Sequence, residues 1–132
     1  TVEELTACEL LPFEAAAEVG SRAVMVGHIV VPELTGDLPA TLCADAIALV
    51  PDAENTLIVT DSLAMGAITD SYTPGEAAVQ ALQAGCDVLL MPDGLADAYD
   101  AVLAAVQNGT LSEDRLDLSV NKILRIKAQF CA

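Results

Sequence analysis

Asp61 closes a short run of strand-forming residues, Leu57-Ile58-Val59-Thr60. Four apolar or β-branched residues in a row read as a buried strand of the parallel-sheet type, so the Asp61 carboxylate emerges at that strand's carboxyl end. Parallel α/β folds keep their active sites there. An Asp after a strand more commonly caps the turn, and the local residues alone leave both roles open. His28, the single histidine, is the other titratable candidate and invites assignment as a general acid or base. Met25 and His28 lie at an earlier strand-like run, and Met65 follows Asp61 closely. By type alone, both methionines read as core filler and His28 as a loop residue hydrogen-bonded within the fold.

A repeated unit must position these residues. Residues 2–19 read as helical, with a break at Pro12 and a stop at Gly20; Ala23–Val26 reads as a strand, Ala44–Val50 as a short helix and Leu57–Thr60 as a strand. Thr73-Pro74-Gly75-Glu76 is a capping box with Pro at the first helical position, opening a helix that ends before Gly85. Asp87–Met91 reads as a third strand, Leu95–Gln107 as a helix stopped by Gly109, and Glu113–Gln129 as a last helix capped by Ser112. Strand starts near 23, 57 and 87 recur about every 30 residues, the period of a βα unit, which calls for an α/β fold with a parallel sheet. No linker interrupts it, so residues 1–132 form a single domain.

Composition removes several classes of function. The net charge of −15 argues against nucleic acid and against an anionic membrane surface, since both need clustered Lys and Arg. Of five basic residues, Lys122, Arg125 and Lys127 sit in the last helix, where they suit a helix carboxyl terminus. Cys8, Cys43, Cys86 and Cys131 are far apart and form no metal-site spacing, and they read as small buried hydrophobes. No stretch approaches the roughly 20 apolar residues of a membrane span. The chain starts at Thr1 without Met and without a signal-like segment, so an upstream native amino terminus is an open expectation.

Four blocks, in order and spacing, resemble the catalytic barrel of glycoside hydrolase family 3, in particular its bacterial β-N-acetylglucosaminidase branch. They are Glu9-Leu10-Leu11-Pro12-Phe13-Glu14-Ala15-Ala16, Ala23-Val24-Met25-Val26-Gly27-His28-Ile29-Val30-Val31-Pro32, Thr60-Asp61-Ser62-Leu63-Ala64-Met65-Gly66-Ala67, and Pro74-Gly75-Glu76-Ala77-Ala78 running on to Ala84-Gly85-Cys86-Asp87-Val88-Leu89-Leu90-Met91-Pro92. The similarity continues through Ser112-Glu113-Asp114-Arg115-Leu116. It spans the whole chain but only the second half of the family's barrel. The fold it implies is the carboxyl-terminal half of a TIM-type (β/α)8 barrel, since a closed barrel takes eight strands and about 250 residues.

The resemblance implies a retaining β-N-acetylhexosaminidase acting on N-acetylglucosaminides such as cell-wall muropeptides, with no cofactor or metal. Retention needs a carboxylate that attacks the anomeric carbon and a second group about 5 to 5.5 Å away that acts as acid and then base. Asp61 matches the family's nucleophile; Ser62 and Ala64 depart from the commoner Asp and Ser beside it. Met25, His28 and Met65 match positions that face the sugar in the subsite before the scissile bond. The branch's acid/base is a different histidine, on a loop after a Lys-His-Phe-Pro-Gly-His type motif, and this chain begins beyond that loop. Between Cys43 and Leu57 the acidic connection Pro51-Asp52-Ala53-Glu54-Asn55 stands where the family carries a full helix.

Half a barrel leaves two open strand edges and an apolar inner face, so either the missing half or a second copy completes it. The expected partners are therefore the amino-terminal half-barrel or a homodimer. Another class of reading is a noncatalytic α/β protein that kept the sequence and uses its open edge for association. A flavodoxin-like domain is disfavoured, because no Gly-rich phosphate loop follows any strand.

Overall fold

A computed structural model describes residues 1–130. A single helical turn, α1 (Val2–Glu4), is capped by Thr1 and runs through a wide π turn over Leu5–Glu9 into α2 (Leu11–Glu18). The break falls at Leu10 rather than Pro12, because a proline in the first turn has no N–H to lose and its fixed φ suits helix entry. β1 (Ala23–Val26) leads to α3 (Pro32–Thr35), a 3-10 turn over Ala40–Leu42, and α4 (Ala44–Ile47). The helix expected over Ala44–Val50 thus stops at Ile47, and residues 48–56 are turns and bends.

β2 (Leu57–Thr60) pairs in parallel with β1, with Ala23 opposite Leu57 and Val26 opposite Thr60. After it come α5 (Gly66–Thr69), α6 (Pro74–Ala84), α7 (Leu95–Gln107) and α8 (Glu113–Phe130). The capping box at the start of α6 forms as expected: Thr73 Oγ1 accepts the Glu76 N–H, and the Glu76 carboxylate accepts the Thr73 N–H at 2.9 Å. Gly75 lets α6 and α7 approach closely, since a Cβ there would stand 2.6 Å from the Ala101 Cβ. Gly85, at φ 120°, ends α6 where a Cβ would press on Ile47 Cγ2 at 2.9 Å.

The third strand expected over Asp87–Met91 is reduced to one bridge, Val59 to Val88, and side chains explain why. The Ile58 N–H donates to the Asp87 carboxylate at 3.0 Å instead of to a neighbouring carbonyl. Two residues later the Leu90 N–H donates to Thr60 Oγ1 at 2.9 Å. Only the Thr60 N–H to Val88 oxygen and the Val88 N–H to Ile58 oxygen bonds keep the ladder pattern, and Met91, at φ 47°, turns the chain away.

One face of this strand row is covered. Ile58 and Thr60 point under the helices into a core with Leu42, Ile47, Leu63, Ile68, Ala77 and Ala81. The alternate residues face the other way: Met25 is 53% exposed, and Leu57, Val59, Val88 and Leu90 are half-buried. That apolar face has no layer over it among the described residues.

At the strands' amino ends Asp87 is wholly buried and fully partnered. Its Oδ2 accepts from Lys122 Nζ at 2.5 Å and from the Ile58 N–H, and its Oδ1 accepts from Ser119 Oγ at 2.6 Å with Arg115 Nη2 at 3.6 Å. Arg115 also donates to the Cys86 and Leu82 carbonyls, and Lys122 to those of Ala53 and Thr56. Lys122 and Arg125 therefore tie α8 across to the loop before β2, with Arg125 Nη2 on the Glu54 carbonyl at 2.9 Å, and are not simply helix-terminal charges. Lys127 alone sits in the last turn.

The cysteines divide. Cys43 and Cys86 are buried as expected, Cys8 is exposed on the π turn, and Cys131 lies outside the described residues. Burial, with the nearby Asp87 charge, pushes the Cys86 thiol up to about 12. An unfolded thiol near 9 ionises first, so the unfolded state binds fewer protons from there upward. Stability is accordingly intact below pH 9 and falls by at most about 1.4 kcal/mol per pH unit as pH rises toward 12. Iodoacetamide at pH 8 is expected to label Cys8 in the native chain and Cys86 only after denaturation, which peptide mapping reads directly. Rapid native labelling of Cys86 would contradict this placement.

Candidate active site

Asp61 continues the β1–β2 ladder by one step, its N–H donating to the Val26 carbonyl at 2.9 Å. Parity along the strand puts its side chain on the uncovered face with Val59 and, across the ladder, Met25. The carboxylate is half-buried; Oδ1 accepts the Ser62 N–H at 2.7 Å, and among the described residues no donor reaches Oδ2. One oxygen is fixed and the other is available.

The turn after Asp61 is held through its backbone. The Ser62 carbonyl accepts both the Met65 N–H at 3.1 Å and His28 Nε2–H at 2.9 Å, and the Leu63 N–H donates to the Leu90 carbonyl at 2.9 Å. Ser62 thus takes part through N–H and C=O. Its departure from the family's residue type leaves those bonds untouched. Ala64, the other departure, is exposed.

His28 is half-buried, and both ring nitrogens are engaged by the chain: Nε2 with the Ser62 carbonyl, Nδ1 with Thr41 Oγ1 at 2.8 Å. Neither nitrogen is left free for proton transfer at Asp61. Met65, 45% exposed, enters the short helix α5, and Met25 stands on the open strand face. Neither methionine fills the core. Residues 25, 28, 61 and 65 are brought to the same end of the strand pair, by the β1–β2 register for Met25 and by direct bonds for the rest.

Two concavities lie beside the strand pair, the first of them also touching Met25. An apolar cleft of about 270 Å³ runs between Leu10 and Phe13 on one side and Val24, Val26, Leu34 and Leu49 on the other. A wider groove of about 720 Å³ at the strands' amino ends is bordered by Ile47, Ile58, Leu118 and the Asp87–Lys122 pair. Neither contains Asp61, and in parallel α/β folds the amino end serves stability rather than chemistry. Among the described residues no group of three or more His, Cys, Asp or Glu is placed to hold a metal ion, and no helix is long and apolar enough to cross a membrane.

Known proteins resemble this chain in sequence and fold. A β-N-acetylglucosaminidase/β-glucosidase of Cellulomonas fimi is 30% identical over 129 residues, covering 88% of this chain and 23% of that protein. The β-hexosaminidase LpqI of Mycobacterium tuberculosis is 29% identical over 136 residues, covering 96% and 35%. The solved structure of a glycoside hydrolase family 3 β-N-acetylglucosaminidase from a Paenibacillus species superposes with a TM-score of 0.88 at 41% identity, over 96% of this chain and 25% of that one. This chain therefore spans between about a quarter and about a third of the length of these relatives. Residues 1–126 match the family model described as the glycosyl hydrolase family 3 N terminal domain. On that match, the chain belongs to glycoside hydrolase family 3.

Proposed function

We propose that this chain is the nucleophile-bearing part of a retaining β-N-acetylhexosaminidase that removes terminal N-acetylglucosamine, with Asp61 as nucleophile. The observation that carries the reading is the Asp61 carboxylate itself: at the carboxyl end of a parallel strand, half-buried, one oxygen fixed by the Ser62 N–H and the other without a donor. Oδ2 attacks the anomeric carbon as the glycosidic C–O bond breaks, and the acid protonates the leaving oxygen. Water, deprotonated by that same group, then displaces Asp61 and the free sugar leaves. Met25 and Met65 form an apolar wall of the sugar subsite, and the His28 ring borders it.

The acid/base comes from outside this chain, since His28 spends both nitrogens on Thr41 and Ser62. The strand row is one half of a TIM-type (β/α)8 barrel whose remaining strands cover the Met25, Val59 and Val88 face. At about 25 cal/mol per Å², a few hundred Å² of such surface supplies several kcal/mol of drive to associate. A second copy of the chain is the alternative cover, against which its charge of −15 acts.

The expected result is that residues 1–132 alone do not measurably hydrolyse an aryl N-acetylglucosaminide, while the full-length protein that carries them does. Turnover by the isolated segment at the full-length rate would place the acid/base inside it and contradict this division of labour. A full-length protein that is folded but inert would favour a noncatalytic association role.

A further inference from the structure

Thr41 is completely buried beneath the loop that carries His28, far from Asp61 in sequence, and is matched by none of the roles above. Its hydroxyl stands at a junction. Oγ1 is 2.8 Å from His28 Nδ1, 3.0 Å from the Gly27 carbonyl and 3.2 Å from the Val26 carbonyl. The Val26 carbonyl is also the acceptor of the Asp61 N–H. From His28 the path continues through Nε2 to the Ser62 carbonyl, and Ser62 in turn donates its N–H to Asp61 Oδ1. These hydrogen-bond-length contacts trace a ring: Thr41, His28, Ser62, Asp61, Val26 and back to Thr41.

Proton counting fixes part of this ring. A carbonyl only accepts, so the bond to Ser62 requires the proton on Nε2. In the neutral ring Nδ1 is then an acceptor, so the single Thr41 hydroxyl hydrogen serves Nδ1, with the Gly27 and Val26 carbonyls as competing acceptors around the same buried point. Valine has nearly the same shape and no hydroxyl.

We propose that Thr41 is a positioning residue for Asp61: through His28 it fixes the Ser62 peptide, and that peptide fixes which carboxylate oxygen faces the substrate. The proposal rests on Asp61 being the nucleophile. Thr41 touches no substrate. A nucleophile displaced by about 1 Å can lose on the order of a hundredfold in rate with its fold intact, so the effect belongs in kcat more than in KM.

The test is a cycle in the full-length protein of Thr41→Val, His28→Gln and the double variant, with Thr41→Ser as the conservative control. Thr41→Val is expected to lower kcat about ten- to a hundredfold with KM within about threefold, and Thr41→Ser to restore kcat to within about threefold of the natural protein. Since both residues act along one chain of bonds, the double variant should be no worse than the more severe single one. In the full-length protein labelled at histidine nitrogen, with the His28 signals assigned by their loss in His28→Gln, NMR should show a protonated Nε2, and Thr41→Val should shift Nδ1. Unchanged kcat in Thr41→Val, or losses that add in the double variant, would overturn the proposal. If Thr41→Val does not fold, His28→Gln with unchanged kcat overturns it equally. A fluorosugar label on another carboxylate would overturn the nucleophile assignment itself, and is read separately from the tautomer.

Discussion

Asp61→Asn in the full-length protein is expected to lower kcat toward an aryl N-acetylglucosaminide by about 10⁴-fold or more, the scale on which loss of a catalytic nucleophile acts. The substitution is chosen for what it preserves. Asparagine keeps an oxygen to accept the Ser62 N–H and keeps the backbone bond to the Val26 carbonyl, so the turn that His28 braces stays in place. What is lost is the anionic oxygen, and an amide cannot form the glycosyl ester that retention passes through. Circular dichroism and the urea midpoint should be close to those of the natural protein. A fall in kcat of less than about tenfold in the folded variant would mean that another group makes the covalent bond.

The second large effect is on stability and lies at the opposite end of the strands. Asp87→Asn removes the one charge that balances Lys122 and Arg115 in a buried site where the carboxylate accepts four donors or cations. Breaking a buried pair from one side leaves an uncompensated charge and costs about 3 to 5 kcal/mol. That is a large share of a domain's usual margin of about 5 to 15 kcal/mol. The same carboxylate also takes the Ile58 N–H, so the edge of β2 loosens with it. Equilibrium urea unfolding is the measurement, and Asp87→Asn combined with Lys122→Met should recover part of the loss because the orphaned cation is gone. A single variant within about 1 kcal/mol of the natural protein would show that the cluster does not hold α8 to the strands.

Local chemistry was legible wherever the deciding residues are close in sequence. Thr73, Pro74, Glu76 and Gly85 specify α6 by themselves, and the structure places its ends at Pro74 and Ala84. β1 and β2 likewise follow from short β-branched runs. Features decided by distant partners were not legible. Asp87-Val88-Leu89-Leu90-Met91 has the composition of a strand, yet Asp87 and Thr60 intercept two amides that a regular ladder would use, and nothing local reveals that. Lys122 and Arg125 look like helix-end charges until the carbonyls of residues 53–56 arrive beneath them. At the site, the spacing of residues singles out Asp61 and His28 but not Thr41. A threonine in Pro39-Ala40-Thr41-Leu42 carries no signal of its own, and its role depends on a ring nitrogen 13 residues away.

The account stands on Asp61 forming the glycosyl bond. The most direct measurement is mass spectrometry of the full-length protein after reaction with a 5-fluoro N-acetylglucosaminyl fluoride, which slows breakdown of the covalent intermediate enough for peptide mapping. The account predicts a single adduct on the peptide containing Leu57–Ala67, with fragmentation placing it on Asp61 and no adduct in Asp61→Asn. A label on Asp70, Asp87 or any carboxylate outside this segment would contradict it.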